Sequence, residues 1–172
     1  MGRKEKFTKE YLLTQSVNYV REYELSTLSA REITKHIGCS TQIIFKYYHT
    51  MNEFKNDLLQ TIYQEFLSFC QKLNNKQADL FANSFAYIIF AKKEPNLFKA
   101  LFINKDFQSK LYPTSIEDII KTYQVEEDKA HIYQELFFYI HGIACLLCID
   151  KVTIKDNDLY NMLKAKTKEI EP

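Results

Sequence analysis

The chain is poor in the residues that interrupt helices, since its 172 residues include only three Gly and three Pro. Lys, Glu, Leu, Ile and Tyr are abundant, and apolar residues make up 46% of the composition. Few helix breakers together with many helix formers favour an all-helical protein. A chain of this length can bury a real core in one or two domains.

Long apolar runs are also lacking. No stretch approaches the roughly eighteen apolar residues of a membrane-spanning helix, and the charged residues 1–6 are not followed by the apolar run of a secretory signal. The four Cys are scattered along the sequence. We therefore expect a cytoplasmic protein with free thiols.

Catalytic signatures are missing too. The sequence contains no glycine-rich phosphate loop, no His-Glu-x-x-His and no Gly-x-Ser-x-Gly. We therefore expect no enzyme, no catalytic residues, no bound metal and no cofactor.

The most informative segment is residues 29–54, which reads as two short helices, a tight turn and the start of a third helix. Ser29 and Glu32 are spaced as a capping box, in which the serine oxygen accepts a backbone N–H and the glutamate reaches back. Gly38 follows the first apolar stretch, and glycine ends a helix by taking positive φ without steric strain. Further helix starts are indicated by Ser40 and by Thr50 with Glu53. This layout is that of a helix-turn-helix, which places one short helix in the major groove of DNA.

The same residues resemble the signature of the tetracycline-repressor (TetR/AcrR) family of transcriptional regulators. Gly38-Cys39-Ser40 corresponds to its Gly-Val-Ser, Ile44-Phe45-Lys46-Tyr47-Tyr48 to its Leu-Tyr-x-His/Tyr-Phe, and Glu53-Phe54 to the end of its Lys-Glu-x-Leu. The resemblance is dense over about residues 8 to 60 and elsewhere concerns only length and helical layout. The chain departs from the family pattern at four positions: Thr34 for Ala, Gln42 for Gly, Phe45 for Tyr and Met51 for Lys. The last two remove groups that could touch phosphates, which leaves open a second interpretation as a partner-binding module with weakened DNA binding.

The resemblance implies a homodimeric, ligand-responsive repressor that a small apolar or aromatic molecule releases from a palindromic operator. Arg31, Thr41 and Gln42 are the predicted base contacts, because Arg suits guanine and Gln suits adenine in the major groove. Predicted phosphate contacts are Ser29, Lys46 and Tyr47. The core that holds this part together is predicted to contain Ile33, Ile37, Ile44, Phe45 and Tyr48.

Charge is unevenly distributed along the chain. Residues 1–50 contain eight Lys or Arg against five Asp or Glu, whereas residues 51–172 contain fifteen against seventeen. The basic excess therefore coincides with the predicted DNA-binding part, where Lys and Arg neutralise phosphates and release counterions.

We expect about nine helices in two domains. Residues 1–50 would form the helix-turn-helix DNA-binding domain, and residues 51–172 the helical ligand-binding and dimerisation domain. The predicted helices span about 8–24, two within the motif, 51–73, 76–92, one from Pro95, one from Pro113, 126–150 and 156–169.

The helix over 126–150 is apolar on more than one side, so it must be buried on both sides. One side would line its own subunit and the other would pack against a partner, as the last two helices do in the family it resembles. Gly142 and Ala144 would let helices approach closely. Predicted dimer-interface residues are Tyr133, Ile140, Leu147, Leu159, Met162 and Leu163. Plain core packing within a monomer is the alternative.

Aromatic residues concentrate in the middle of the chain, which predicts a small-molecule pocket, since such pockets are mainly apolar and aromatic. The predicted lining residues are Phe85, Phe102, Phe107, Phe137 and His141. The alternative is that these rings merely fill a core. His141, Cys145 and Cys148 share one helical face, which leaves open a metal or redox sensor centred on them.

Overall fold

The computed structural model describes residues 7–73, 80–104, 126–168 and 170, in which the regular secondary structure is helical and no strand occurs. The all-helical expectation is confirmed for this part of the chain. The helices are α1 Lys9–Glu22, α2 Ala30–Ile37, α3 Gln42–Tyr47, α4 Met51–Leu73, α5 Leu80–Lys93, α6 Pro95–Phe102, α7 Glu127–Cys148 and α8 Asp156–Lys168, with a 3₁₀ turn at Leu25–Thr27. The helix expected from Pro113 lies outside the described residues.

The helix starts follow the capping residues. The Thr8 hydroxyl accepts from the Tyr11 N–H at 3.1 Å, and the Ser29 hydroxyl accepts from the Glu32 N–H at 3.2 Å. Before α4 the Glu53 N–H donates to the Thr50 hydroxyl at 3.2 Å, while the Glu53 carboxylate accepts from the His49 N–H at 2.9 Å. These caps satisfy backbone N–H groups that have no partner inside the helix.

The turn between α2 and α3 depends on glycine. Gly38 has φ 74° and ψ 43°, which is the left-handed region expected for a helix-ending glycine. The N–H groups of Gly38 and Cys39 both donate to the Thr34 carbonyl at 2.9 Å. Ser40 then accepts from the Gln42 N–H at 3.3 Å, where α3 begins.

One apolar cluster runs through α1 to α8, with the largely apolar α5 packed against α4, α6, α7 and α8. Val17 and Ile44 belong to it, and so do Phe90 and Leu163 from the far part of the sequence. The division into domains at residue 50 stays a prediction.

Polar groups also tie α1 to the later helices. The Arg21 guanidinium donates to Glu94 at 2.9 Å, to Glu65 at 2.6 Å and to the Asn18 side chain at 2.7 Å. Arg21 thus joins α1 to α4 and to the residue that precedes α6.

Candidate nucleic-acid interface

The side of α3 that faces away from the core carries a compact set of exposed side chains. Thr41, Gln42, Phe45 and Lys46 are exposed, whereas Ile44 is fully buried. Positions i, i+1, i+4 and i+5 lie on one side of a helix with 3.6 residues per turn. The structure therefore brings two predicted base contacts, Thr41 and Gln42, and one predicted phosphate contact, Lys46, onto one solvent-facing surface. We call the four residues Thr41, Gln42, Phe45 and Lys46 the α3 face.

The prediction that Phe45 belongs to the core is wrong, because its side chain is 50% exposed. Ile33, Ile44 and Tyr48 are buried as predicted, and Ile37 is partly buried against them. Phe45 directly follows Ile44, and one step along a helix turns the side chain by about 100°. With Ile44 pointing inward, Phe45 points outward.

The remaining predicted DNA contacts lie around this face in different environments. Arg31 and Ser29 are exposed at the start of α2. Lys46 places its ammonium 5.3 Å from the centre of the Tyr47 ring. The Tyr47 hydroxyl donates to the Phe7 carbonyl at 2.8 Å, so it holds the start of the described chain against α3. A phosphate contact from Tyr47 would have to replace that bond.

An open cleft of about 520 Å³ lies beside α2, lined by Tyr19, Tyr23, Thr27, Glu32, Lys35 and His36. The Tyr19 ring packs against Tyr23 and His36, with ring centres 4.9 and 5.5 Å apart. Sequence reasoning missed this cleft, because its rings come from two helices whose packing no local pattern reveals.

The predicted pocket residues fall into two separate aromatic groups. Phe102 is buried against Phe66, Tyr87 and Phe98, with ring centres 5.0 to 5.1 Å apart. Phe85 instead stacks on Phe81 at 5.9 Å and meets Tyr160 of α8. Phe107 lies outside the described residues.

Phe137 and His141 adjoin the first group. The two rings stack 5.4 Å apart at an interplanar angle of 15°. His141 Nδ1 lies 2.9 Å from the Tyr87 hydroxyl, and its Nε2 lies 3.4 Å from the Cys145 sulfur.

Cys148 does not join that pair, because it is buried and its thiol donates to the Cys145 carbonyl at 3.2 Å. Within the described ranges no three His, Cys, Asp or Glu side chains gather as metal ligands would.

The predicted dimer-interface residues are mostly turned toward their own chain. Leu147, Leu159 and Leu163 are at most 6% exposed, so they have almost no side-chain surface for a partner. Ile140 packs against the core and Tyr133 is half-buried, while Met162 is 38% exposed. The interface prediction is therefore corrected for Leu147, Leu159 and Leu163, which are core residues of the single chain.

The solvent-exposed apolar side of α7 is a different one. Its exposed apolar side chains are Ile132, Phe138, Leu146 and Ile149, and exposed Gly142 lies among them. Phe138, Gly142 and Leu146 follow one another at intervals of four residues and so lie on one side of the helix, with Ile132 at the flank of that side and Ile149 directly after the helix end. We call these five residues the α7 stripe. Its large members are between 42% and 63% exposed.

No family model matches the chain, and a search of curated protein sequences finds no match. Among the described helices, none combines the length and the apolar character needed to cross a membrane.

Proposed function

We propose that this protein is a dimeric DNA-binding transcriptional regulator, a repressor that a small apolar or aromatic molecule releases from a palindromic operator. The observation that carries the proposal is the α3 face: four exposed side chains, one from the N-cap and three from a six-residue helix whose opposite side is anchored in the core. A short helix held in this way, just after a second helix and a glycine turn, has the dimensions of a major-groove reader.

The chemistry of the α3 face suits a duplex. Gln42 can bond adenine through two hydrogen bonds, Thr41 can bond base edges, and an exposed ring such as Phe45 can contact the thymine methyl group. Lys46 and the exposed Arg31 add positive charge for the phosphates.

The proposed dimer would form through the α7 stripe, because a symmetric interface places the same apolar surface of both subunits face to face. Gly142 in its middle has nothing within 4 Å of the position a Cβ would occupy, which leaves room for a partner helix. Two copies would present two α3 faces, as palindromic operators require.

Effector response follows from a shift between two arrangements of the dimer. The proposed effector would bind beside the aromatic group of Phe98, Phe102 and His141, which includes two residues of α6. The Arg21–Glu94 ion pair joins the start of α6 to α1 at 2.9 Å, so a displacement of α6 would reach the DNA-reading part. The effector lowers operator affinity only as far as it prefers one arrangement to the other.

The proposal is tested by selecting duplexes from a randomised library with the wild-type protein and measuring their affinity by fluorescence anisotropy. We expect selection to converge on a palindrome and affinity to fall steeply between 50 and 200 mM salt, roughly tenfold or more for every two or three phosphates neutralised. Gln42→Ala should weaken binding to the selected duplex, since a good bidentate contact contributes about 1–3 kcal/mol.

Gln60→Ala is the matched control, because Gln60 is an exposed glutamine on α4. It should leave affinity unchanged. A selection that never converges, with no salt-sensitive binding to any duplex, would contradict the proposal and favour a partner-binding module of the same fold.

A further inference from the structure

Cys145 has a base within reach of its thiol. Its sulfur lies 3.4 Å from Nε2 of His141, which is one helical turn earlier on α7. Cys145 is partly exposed to solvent, unlike the buried Cys148 of the same helix end. A nucleophile beside a positioned base is the arrangement that covalent chemistry at a thiol requires.

The imidazole is held on both sides. The Tyr87 hydroxyl lies 2.9 Å from Nδ1, and the Phe137 ring stacks on the imidazole with an interplanar angle of 15°. When Nδ1–H donates to the Tyr87 oxygen, Nε2 carries the lone pair and faces the thiol. Tyr87 is itself buried at 8% exposure, which fixes the position of its hydroxyl.

The other three thiols lack this environment among the residues that the structure describes. Cys148 is 3% exposed and donates to a backbone carbonyl. Burial raises the pKa of Cys70 to about 11, and that of Cys148 to about 11 with a contribution from Cys145. Cys39 follows the Gly38 turn and is partly exposed like Cys145, so it serves as an internal reference.

Burial raises the pKa of the Cys145 thiol and lowers the pKa of the His141 imidazole. Near pH 7 the pair therefore rests as a neutral thiol and a neutral imidazole. A neutral thiol is a weak nucleophile, so its reaction depends on proton transfer to the base during attack.

We propose that Cys145 is an addition site for small α,β-unsaturated carbonyl compounds, with His141 as the general base. In the step, the thiol proton moves to Nε2 while the sulfur forms a bond to the β-carbon. The carbon–carbon π pair shifts to give an enolate, and the imidazolium then returns the proton to the α-carbon. The product is a thioether and the histidine is restored, without oxidant, metal or cofactor. This inference does not depend on DNA binding.

The test uses N-ethylmaleimide, an α,β-unsaturated imide, at low stoichiometry on the folded full chain. Peptide mass spectrometry then gives the rate at each of the four cysteines. We expect Cys145 to be modified faster than Cys39. His141→Gln should slow the modification of Cys145 by about tenfold or more, since a positioned general base raises the rate of a reaction by about 10²- to 10⁴-fold. The same variant should leave the rate of Cys39 modification unchanged.

Tyr87→Phe is the second variant, because it removes the hydroxyl at Nδ1 and keeps the ring. It should slow Cys145 by a smaller factor than His141→Gln. If Cys148 is modified faster in the His141→Gln protein than in the wild type, that substitution has opened the core. The rate of Cys145 modification in the Tyr87→Phe protein then decides whether the inference holds. The inference is overturned if Cys145 reacts no faster than Cys39 in the wild type, or if neither variant slows it.

Discussion

At the residue scale, Tyr48 has a buried hydroxyl with no hydrogen-bond partner among the described residues. Its ring is 4% exposed and meets the Phe54 ring edge-on at 5.3 Å, so the apolar part is well packed. Burial raises the pKa of this hydroxyl above its ordinary value, and so do the charge of Asp57 and a contact with its carboxylate that does not meet the geometry of a hydrogen bond. A buried polar group without a partner keeps its full desolvation penalty.

We therefore expect Tyr48→Phe to leave the free energy of unfolding unchanged or to raise it by about 1 kcal/mol. Tyr47→Phe is the matched control, since it deletes the bond to the Phe7 carbonyl and should lower stability by about 1 kcal/mol. Urea denaturation followed by circular dichroism measures both. A Tyr48→Phe protein that is clearly less stable than the wild type would show that the hydroxyl has a partner after all.

At the scale of single elements, the helix starts were predictable because capping is local chemistry. Ser29 and Thr50 each accept the backbone N–H that their position in the sequence indicated. The bounds of α4 are those predicted, 51–73. Gly38 takes the predicted positive φ for the same local reason.

Which side of a helix faces the core was less predictable. Ile44 and Phe45 are adjacent apolar residues, and nothing in their sequence indicates that only Ile44 turns inward. The apolar residues of α7 lie on all sides of the helix. Which of them are buried, as Leu147 is, and which are exposed, as Phe138 is, therefore depends on how α5 and the other neighbouring helices pack against α7. The α3 face was therefore predicted except for Phe45, whereas the exposed apolar side of α7 was not.

Two glycine substitutions separate conformational strain from steric contact. Neither Gly38 nor Gly142 has an atom within 4 Å of its would-be Cβ, but only Gly38 has positive φ. Gly38→Ala should lower the free energy of unfolding by about 1–2 kcal/mol, because left-handed backbone is strained for other residues. Gly142→Ala should raise the free energy of unfolding of the single chain by about 0.5–1 kcal/mol, the gain in helix propensity.

Urea denaturation of both variants at equal protein concentration measures these effects. If Gly38→Ala and Gly142→Ala change the free energy of unfolding in the same direction, the left-handed backbone after α2 is not the reason that position 38 needs glycine.

At the scale of the whole molecule, the α7 stripe predicts self-association. Phe138 is its most exposed member at 63%, and glutamate there would bury a charge from each subunit in a symmetric interface. Phe138→Glu should therefore convert a dimer to a monomer at micromolar concentration, as measured by analytical ultracentrifugation. Stability of the single chain should change little, since exposed positions contribute within about 0.5 kcal/mol.

Tyr11→Glu is the control for that experiment, because Tyr11 is a 40% exposed aromatic residue on α1. It should leave the dimer intact. A wild-type protein that sediments as a monomer at all concentrations, or a Phe138→Glu protein that remains dimeric, would exclude the α7 stripe as the interface.

The most direct measurement is a photo-crosslink from the α3 face to DNA. Phe45 is replaced by photoreactive benzoylphenylalanine, and the protein is irradiated on a duplex selected by the wild type. Leu73, 38% exposed at the end of α4, carries the same replacement in the control protein. We predict a covalent DNA adduct from position 45, mapped to bases within the selected site, and none from position 73. Equal yields from the two positions, or no adduct from position 45 under conditions where the duplex is bound, would contradict the proposed entry of α3 into the groove.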